Sequence, residues 1–390
     1  MLKRIVNLLK VEQGFVLITS SSLISSSLGA VFFLYVAAIV SVESYGKINY
    51  LLSFSSVAFA LSVLGMDTTI MTLLPKRSLS VLYQANSIVF IASLISALIA
   101  GLLANSLVVS ILVLAGACYY MSTIQVITKK DYRESAFLSI GGKVLQIGLS
   151  LAFYFLFGIN GFILGYAIAY FVFGYRFIFS LRHFRLNFAE VKNLSRFSAK
   201  MYVTSLTSIQ NPATTLISYL DKIIVGAFFG FYMLGSYQLS YQVFLFLSIL
   251  PSNIFRFLLP QGAEGKIVRR SIKLAGLGFA CIISIAIIII APYAIPVFYP
   301  AYLQAVPAIQ ITSMAIIPLT LVFLLQTKIL AEEKKTNHML YAGLITAITE
   351  ISLLFLLGST IGLIGLAMSI VIALSVQFLY LLAISRGRFF

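Results

Sequence analysis

The sequence predicts an all-α integral membrane protein of twelve transmembrane helices, arranged as two parallel six-helix repeats. Three observations predict it. Of the 390 residues, 61% are hydrophobic and only 10% are charged, whereas a soluble domain is roughly a quarter charged, so most of this chain has lipid as its solvent. The apolar segments are continuous runs of about 20 residues or more, long enough to cross a hydrocarbon core as helix and too long and unbroken for outer-membrane strands. Cations recur at every second boundary between runs, the pattern of a chain that repeatedly crosses a bilayer.

The first run, about 12–40, follows MLKRIVNLLK and is too long for a signal-peptide core, so it reads as an anchor with Lys3, Arg4 and Lys10 before it. The second, about 47–74, exits through Lys76 and Arg77. Runs at about 81–104 and 106–127 are joined by the neutral LLANSL and exit through Lys129, Lys130 and Arg133. Those at about 136–157 and 159–180 share the turn FGINGF and lead into Arg182, Arg185, Lys192 and Arg196. The seventh and eighth, about 197–226 and 234–259, meet at AFFGFYMLG and exit through Lys266, Arg269 and Arg270. The ninth and tenth, about 271–291 and 304–330, flank PYAIPVFYPAYLQ and precede Lys334 and Lys335. The last two, about 337–357 and 360–384, turn at GSTIG and end before Arg386 and Arg388. Every even-numbered exit is basic and the other loops are nearly uncharged, with Lys47 the main exception, so both termini are expected in the cytoplasm.

This topology accounts for most of the net charge of +16, because the cations are spread over all the cytoplasmic loops instead of forming one patch; no nucleic-acid partner is expected. Cys118 and Cys281 both lie inside runs, far apart, which supports neither a disulfide nor a thiolate metal site. His183 and His338 fall in cytoplasmic loops, and no metal-ligand spacing, phosphate-binding glycine loop or paired carboxylates of enzyme geometry are present. Neither an enzyme, a metal nor a cofactor is expected.

An internal repeat divides the chain into halves of six runs, 1–190 and 191–390. Aligning Gly46 of ESYGKINYLLSFSS with Gly235 of YMLGSYQLSYQVFL sets Asn49 opposite Gln238, and GFILGYAIAYFVFGYRF resembles IGLIGLAMSIVIALSVQF at the ends of the halves. Because each half has an even number of runs, the repeats are parallel, as in transporters whose substrate path lies between the halves near mid-depth. The connection LRHFRLNFAEVKNLSRFSAK reads as an amphipathic surface segment or as a plain linker.

The pieces SVESYGKINY, LDKIIVGAFFGFYMLGSYQLSYQ, PVFYPAYLQAVPAIQI, GINGFILGYAIAY and IGLIGLAMSIVIA resemble the recurring segments of the polysaccharide-transport, or Wzx-type, flippases. That family belongs with the multidrug/oligosaccharidyl-lipid/polysaccharide exporters. The resemblance implies a MATE-like fold of two six-helix bundles around a central cavity. It also implies outward movement of undecaprenyl-pyrophosphate-linked oligosaccharide repeat units across the bacterial inner membrane, for O-antigen or other surface polysaccharide, with a polysaccharide polymerase complex as a conceivable partner. A small-molecule or drug antiporter of the same fold, and a non-transporting scaffold of a polysaccharide assembly complex, remain as alternatives.

Ionisable residues at bilayer depth cost a few kcal/mol and are functional candidates by default. Asp67 precedes Lys76 by nine residues, roughly 13 Å along a helix, which places it near mid-depth. The glycine alignment sets Arg256 opposite it, so the two either form a structural ion pair or divide the work: Arg256 on the pyrophosphate, Asp67 balancing charge or carrying a coupling proton. Lys143 in SIGGKVLQIG is a second substrate cation or snorkels to the cytoplasmic interface. Adjacent Asp221 and Lys222 read as an ion-coupling acid beside a substrate-binding cation, or as an interface anchor near the outer surface. Glu350, a lone acid in AITEISLLF, exchanges protons or reaches outer-leaflet water. The hydroxyl-rich runs TSSSLISSSLG and TSLTSIQNPATT, on the equivalent first helices of the halves, line a sugar-binding groove or serve close helix packing.

Overall fold

The structure is a computed structural model of the chain, and it describes residues 2–63, 65–74, 79–184, 195–198, 212–263, 270–329 and 336–385. Among the described residues it is all helix. The chain runs through α1 (Leu2–Ile39), α2 (Val42–Val63), α3 (Met66–Leu73), α4 (Ser80–Leu103), α5 (Leu107–Thr128), α6 (Tyr132–Phe173) and α7 (Tyr175–Ser180). It continues through α8 (Pro212–Phe229), α9 (Phe231–Ala263), α10 (Arg270–Phe298), a 3₁₀ segment (Pro300–Ala305), α11 (Val306–Met314), α12 (Ile316–Lys328), α13 (Thr336–Ile361) and α14 (Leu363–Ile384).

Eight described segments are long and apolar enough to cross a membrane, or nine if α2 and α3, bent by 43°, are one span. The expected count of twelve goes beyond these, and part of the difference has a visible origin. The 42 residues of α6 would reach about 63 Å as one rod, twice a hydrocarbon core of about 30 Å. Gly158 inside it has φ 65 and ψ −144, so α6 is a tight hairpin of two helices that holds the expected fifth and sixth runs. The expected seventh run begins at 197, in a stretch that lies largely outside the described residues. The second expected run is broken rather than straight, at Gly65, whose φ of 72 and ψ of 13 are left-handed.

The polarity of the helices is inverted relative to a soluble bundle. On α4, Gln84, Asn86, Ser87 and Ser93 are buried while Leu94, Ile95, Leu98, Ile99, Leu102 and Leu103 are exposed. On α10, Ile282, Ile285, Ile289 and Ile290 project outward. A surface of this kind is stable only against hydrocarbon. The chain is a multi-pass integral membrane protein.

The helices sort into two compact units: residues 1–32 with 51–205, and 33–50 with 206–390. In the first, Met66, Ile70, Leu82, Val89, Met121 and Phe177 build a core between α3, α4, α5 and α7. In the second, Val225, Leu234, Tyr237, Ile316, Leu354 and Leu366 do so among α8, α9, α12, α13 and α14.

The repeat at the ends of the halves is visible in backbone geometry. Gly362, at the turn from α13 to α14, has φ 67 and ψ −135, nearly the values of Gly158. Three residues on, a Cβ at Gly161 would overlap the Phe153 carbonyl oxygen, and one at Gly365 would overlap that of Leu357. Both hairpins therefore reverse at a glycine with a backbone that a side chain would strain and close at a second glycine lying on the preceding helix. The structural register pairs Gly158 with Gly362 and Gly161 with Gly365.

Candidate functional site

Three charged clusters lie inside the helical units, and each is built differently. In the first unit, Lys143 sits on the first arm of α6, eleven residues past its start, about 16 Å along the axis. It does not snorkel toward the basic end. Its ammonium is directed one turn deeper, donating to Gln146 Oε1 at 2.7 Å, and it lies 5.9 Å from the centre of the Tyr166 ring. α1 covers this face: a Cβ on Gly29 would be 3.6 Å from the ammonium, and Ser25 donates to the Ser139 carbonyl at 3.2 Å. Part of the TSSSLISSSLG hydroxyl run thus meets α6 directly.

Lys143, Gln146 and Ser150 stand at i, i+3 and i+7, one face of the helix. Gln146 and Ser150 are fully buried, and Gln146 Nε2 and Ser150 Oγ have no hydrogen-bond partner among the described residues. No carboxylate among the described residues lies within ion-pair distance of Lys143. An ammonium carries three N–H donors and no acceptor, so donors outnumber acceptors on this face and neither acceptor, Gln146 Oε1 nor Ser150 Oγ, is charged.

Asp67, also in the first unit, lies in the first turn of α3, directly after the left-handed Gly65. The Tyr120 hydroxyl donates to its Oδ2 at 2.9 Å and the Thr68 hydroxyl to its Oδ1 at 3.4 Å. Among the described residues no cation approaches it within ion-pair distance. Arg256, the expected partner, is on α9, but its side chain lies outside the described residues.

The second unit brings Asp221 and Lys222 of α8 against α9. Their exposures are 0% and 4%, so they are enclosed in protein and do not anchor a lipid interface. The Lys222 ammonium donates to Asp221 Oδ1 at 3.2 Å, and the Tyr237 hydroxyl to Oδ2 at 2.9 Å. Lys222 also lies 4.0 Å from the centre of the Tyr241 ring, a cation–π contact strengthened by the dry surroundings. Neighbouring side chains on a helix diverge by about 100°; the aromatic wall of α9 is what lets both groups settle in one pocket. Glu350 of α13 interacts electrostatically with both Asp221 and Lys222, so this cluster holds two acids and one base. It is reached by packing of α8 against α9 and α13.

Sequence reading found every charge in these clusters and missed the neutral partners. Tyr120 stands 53 residues from Asp67, and Tyr237 and Tyr241 lie on the helix after Asp221 and Lys222; no local signal announces any of them. Gln146 and Ser150 were accessible, since their spacing from Lys143 marks one helix face. A further ion pair, Arg176 with Glu134, has a 2.6 Å bond from Nε to Oε1 and a second from the other guanidinium nitrogen; it links α7 to the start of α6, and Tyr175 donates to the same carboxylate. Among the described residues, no three His, Cys, Asp or Glu side chains gather where they could hold a metal ion.

No family model matches the chain, and no curated protein sequence matches it. Solved structures do. A lipid II flippase MurJ in an inward closed conformation is similar over 95% of this chain and 87% of its own, with TM-score 0.72 and 16% identity. An inward-facing multidrug resistance MATE family transporter of the MOP superfamily is similar over 96% and 98%, with TM-score 0.61 and 12% identity. The MATE multidrug transporter DinF-BH is similar over 95% of both chains, with TM-score 0.56 and 16% identity. The chain has the fold that these transporters share.

Proposed function

We propose that this chain, built on the MurJ and MATE fold, is a flippase that moves lipid-linked oligosaccharides. Its substrate would be undecaprenyl-pyrophosphate-linked repeat units, carried outward across the bacterial inner membrane by alternating access for surface polysaccharide assembly. The halves 1–190 and 191–390 would act as two six-helix bundles, with twelve crossings and both termini cytoplasmic. No chemistry on the substrate is required, so the chain is a transporter and not an enzyme.

The observation that carries this reading is the donor surplus around Lys143. A cation inside a membrane protein, held by a neutral amide and a tyrosine ring with no carboxylate within ion-pair distance among the described residues, calls for an anion, and charge-assisted hydrogen bonds to phosphate are among the strongest available. The Lys143 ammonium would take a phosphate oxygen, Arg256 would supply the planar fork for the other phosphate, and hydroxyls of α1 would meet the sugars while the polyprenyl tail stays in lipid. Lys222 is engaged by Asp221 and would bind substrate only on release from it. Asp221 and Glu350 are two carboxyl groups beside the single Lys222, so one of them would be left to take up and release a proton or to hold a cation. Asp67, held by Tyr120, would balance charge in the first unit.

The same acid surplus favours a second reading, a drug antiporter that binds cations in the second unit. Reconstitution separates the two. Liposomes holding purified protein are loaded with a polyprenyl-pyrophosphate oligosaccharide, and its transbilayer movement is followed for the parent, Lys143→Ala and Arg256→Ala. Transport by the parent that falls about tenfold to a hundredfold in Lys143→Ala supports the flippase. A folded parent that moves cationic dyes and no glycolipid supports the antiporter.

A further inference from the structure

Asp221 and Lys222 are chain neighbours on α8, where successive side chains leave the helix about 100° apart, yet the lysine stem folds back so that the two bond to each other. Asp221 Oδ1 accepts the Lys222 backbone N–H at 2.6 Å and its ammonium at 3.2 Å. Oδ2 accepts the Tyr237 hydroxyl at 2.9 Å and the same ammonium at 3.4 Å. An ionised carboxylate offers about four acceptor sites, so Asp221 is saturated with donors. Val225, Leu234, Leu354 and Leu366 belong to the core that includes Tyr237 and Tyr241, and hydrocarbon of this kind brings no further oxygen to the pair.

The ammonium is faced by aromatic rings. It lies 4.0 Å from the centre of the Tyr241 ring and 5.8 Å from that of Tyr219. A ring face attracts an ammonium through its quadrupole, whereas a hard metal ion is held by a set of oxygen ligands. Glu350 of α13 completes the cluster through its electrostatic interaction with Asp221, Lys222 and Tyr237. Among the described residues, the titratable groups that meet here are thus Tyr219, Asp221 and Lys222 of α8, Tyr237 and Tyr241 of α9, and Glu350 of α13.

These contacts discriminate between the two kinds of ion that a pair of carboxyl groups can exchange. A metal ion entering beside Asp221 would meet hydrogens already bonded to both oxygens and a fixed positive charge, in dry surroundings where like charges repel most strongly. A proton needs a single oxygen, and Glu350 offers one without disturbing the bonds between Asp221 and Lys222. We propose that Lys222 is a tethered cation standing where a metal ion would otherwise sit, and that it restricts the second unit to proton exchange. Lys222 is then the residue that sets the ion preference of the acid cluster. What the proton does in the cycle rests on the transport reading; the ion preference is measurable without substrate.

The test uses full-length protein in detergent, with Tm compared in sodium chloride and in choline chloride at equal concentration. The parent is expected to melt at the same temperature in both. Lys222→Ala removes the charge and opens its place between two carboxylates, and sodium is expected to raise the Tm of this variant over choline by about 2–4 °C. Combining it with Glu350→Gln is expected to abolish that shift, since the second carboxylate is gone. A parent stabilised by sodium overturns the proposal, because the ion then binds past the lysine. A folded Lys222→Ala that melts alike in both salts also overturns it, because the lysine is then not what keeps metal ions out, and so does a shift that survives Glu350→Gln, which places the ion elsewhere. If Lys222→Ala aggregates, Lys222→Ser decides by the same comparison. Glycolipid movement is assayed separately in liposomes, so loss of the flippase reading and loss of this ion preference are distinguishable.

Discussion

Gln146 and Glu350 occupy the same place in two hairpins of the same design. Each stands twelve residues before the glycine that reverses its hairpin, Gly158 in one and Gly362 in the other, and the backbones at those glycines agree closely. In the first unit the position is an amide and its neighbour is a lysine with no acid among the described residues. In the second it is a carboxylate beside an aspartate and a lysine that already pair. One atom type at one repeated position thus divides the units between a donor-rich face, suited to an external anion, and an acid-rich cluster, suited to an exchangeable cation. The repeat supplies the scaffold, and the local exchange of oxygen for nitrogen supplies the electrostatics.

The difference breaks most visibly at Asp221. Asp221→Asn removes the carboxylate that pairs with the buried Lys222 ammonium, and is expected to cost about 3–5 kcal/mol, read as a fall in detergent Tm. Adding Lys222→Met should recover most of that loss, and an unchanged Tm in the single variant would mean the pair contributes no enclosed charge. Converting the first unit toward the second sharpens the comparison next: Gln146→Glu gives Lys143 an internal anion one turn away. Its expected signature is transport reduced about tenfold to a hundredfold with stability kept or raised. Full transport in that variant would remove Lys143 from the substrate path.

The hairpins themselves are compared by Gly158→Ala and Gly362→Ala. Both are expected to lose about 1–2 kcal/mol, equally, because the same positive φ is forced on an alanine. Unequal losses in thermal melts would show that the matched backbones carry different strain. The smallest expected effect belongs to Glu350→Gln, which makes the second unit resemble the first. Glycolipid movement should persist while its acceleration by an imposed proton gradient disappears; a gradient response that survives would exclude Glu350 from coupling.

Much of the fold was legible because lipid imposes its own grammar. The apolar runs set helix positions, and the small loops LLANSL and GSTIG coincide with the turns at Asn105 and Gly362. The break at Gly65 was not legible, since Gly is tolerated in straight membrane helices as well as in bent ones. The charges of the candidate site were equally legible, because ionisable residues are rare at these depths and each stands out. Their neutral partners were not: no local signal marks Tyr120 as the donor to Asp67 or Tyr237 as the donor to Asp221.

The sequence by itself determined which solvent this chain occupies, which segments are helical and which residues carry charge into the membrane. These follow from transfer free energies and from the need to satisfy every backbone group locally, both of which are read along one strand. Tertiary structure alone decided which charges are neutralised and which are not. Neutralisation depends on a few ångströms between side chains carried by different helices, such as Tyr120 to Asp67 and Tyr237 to Asp221.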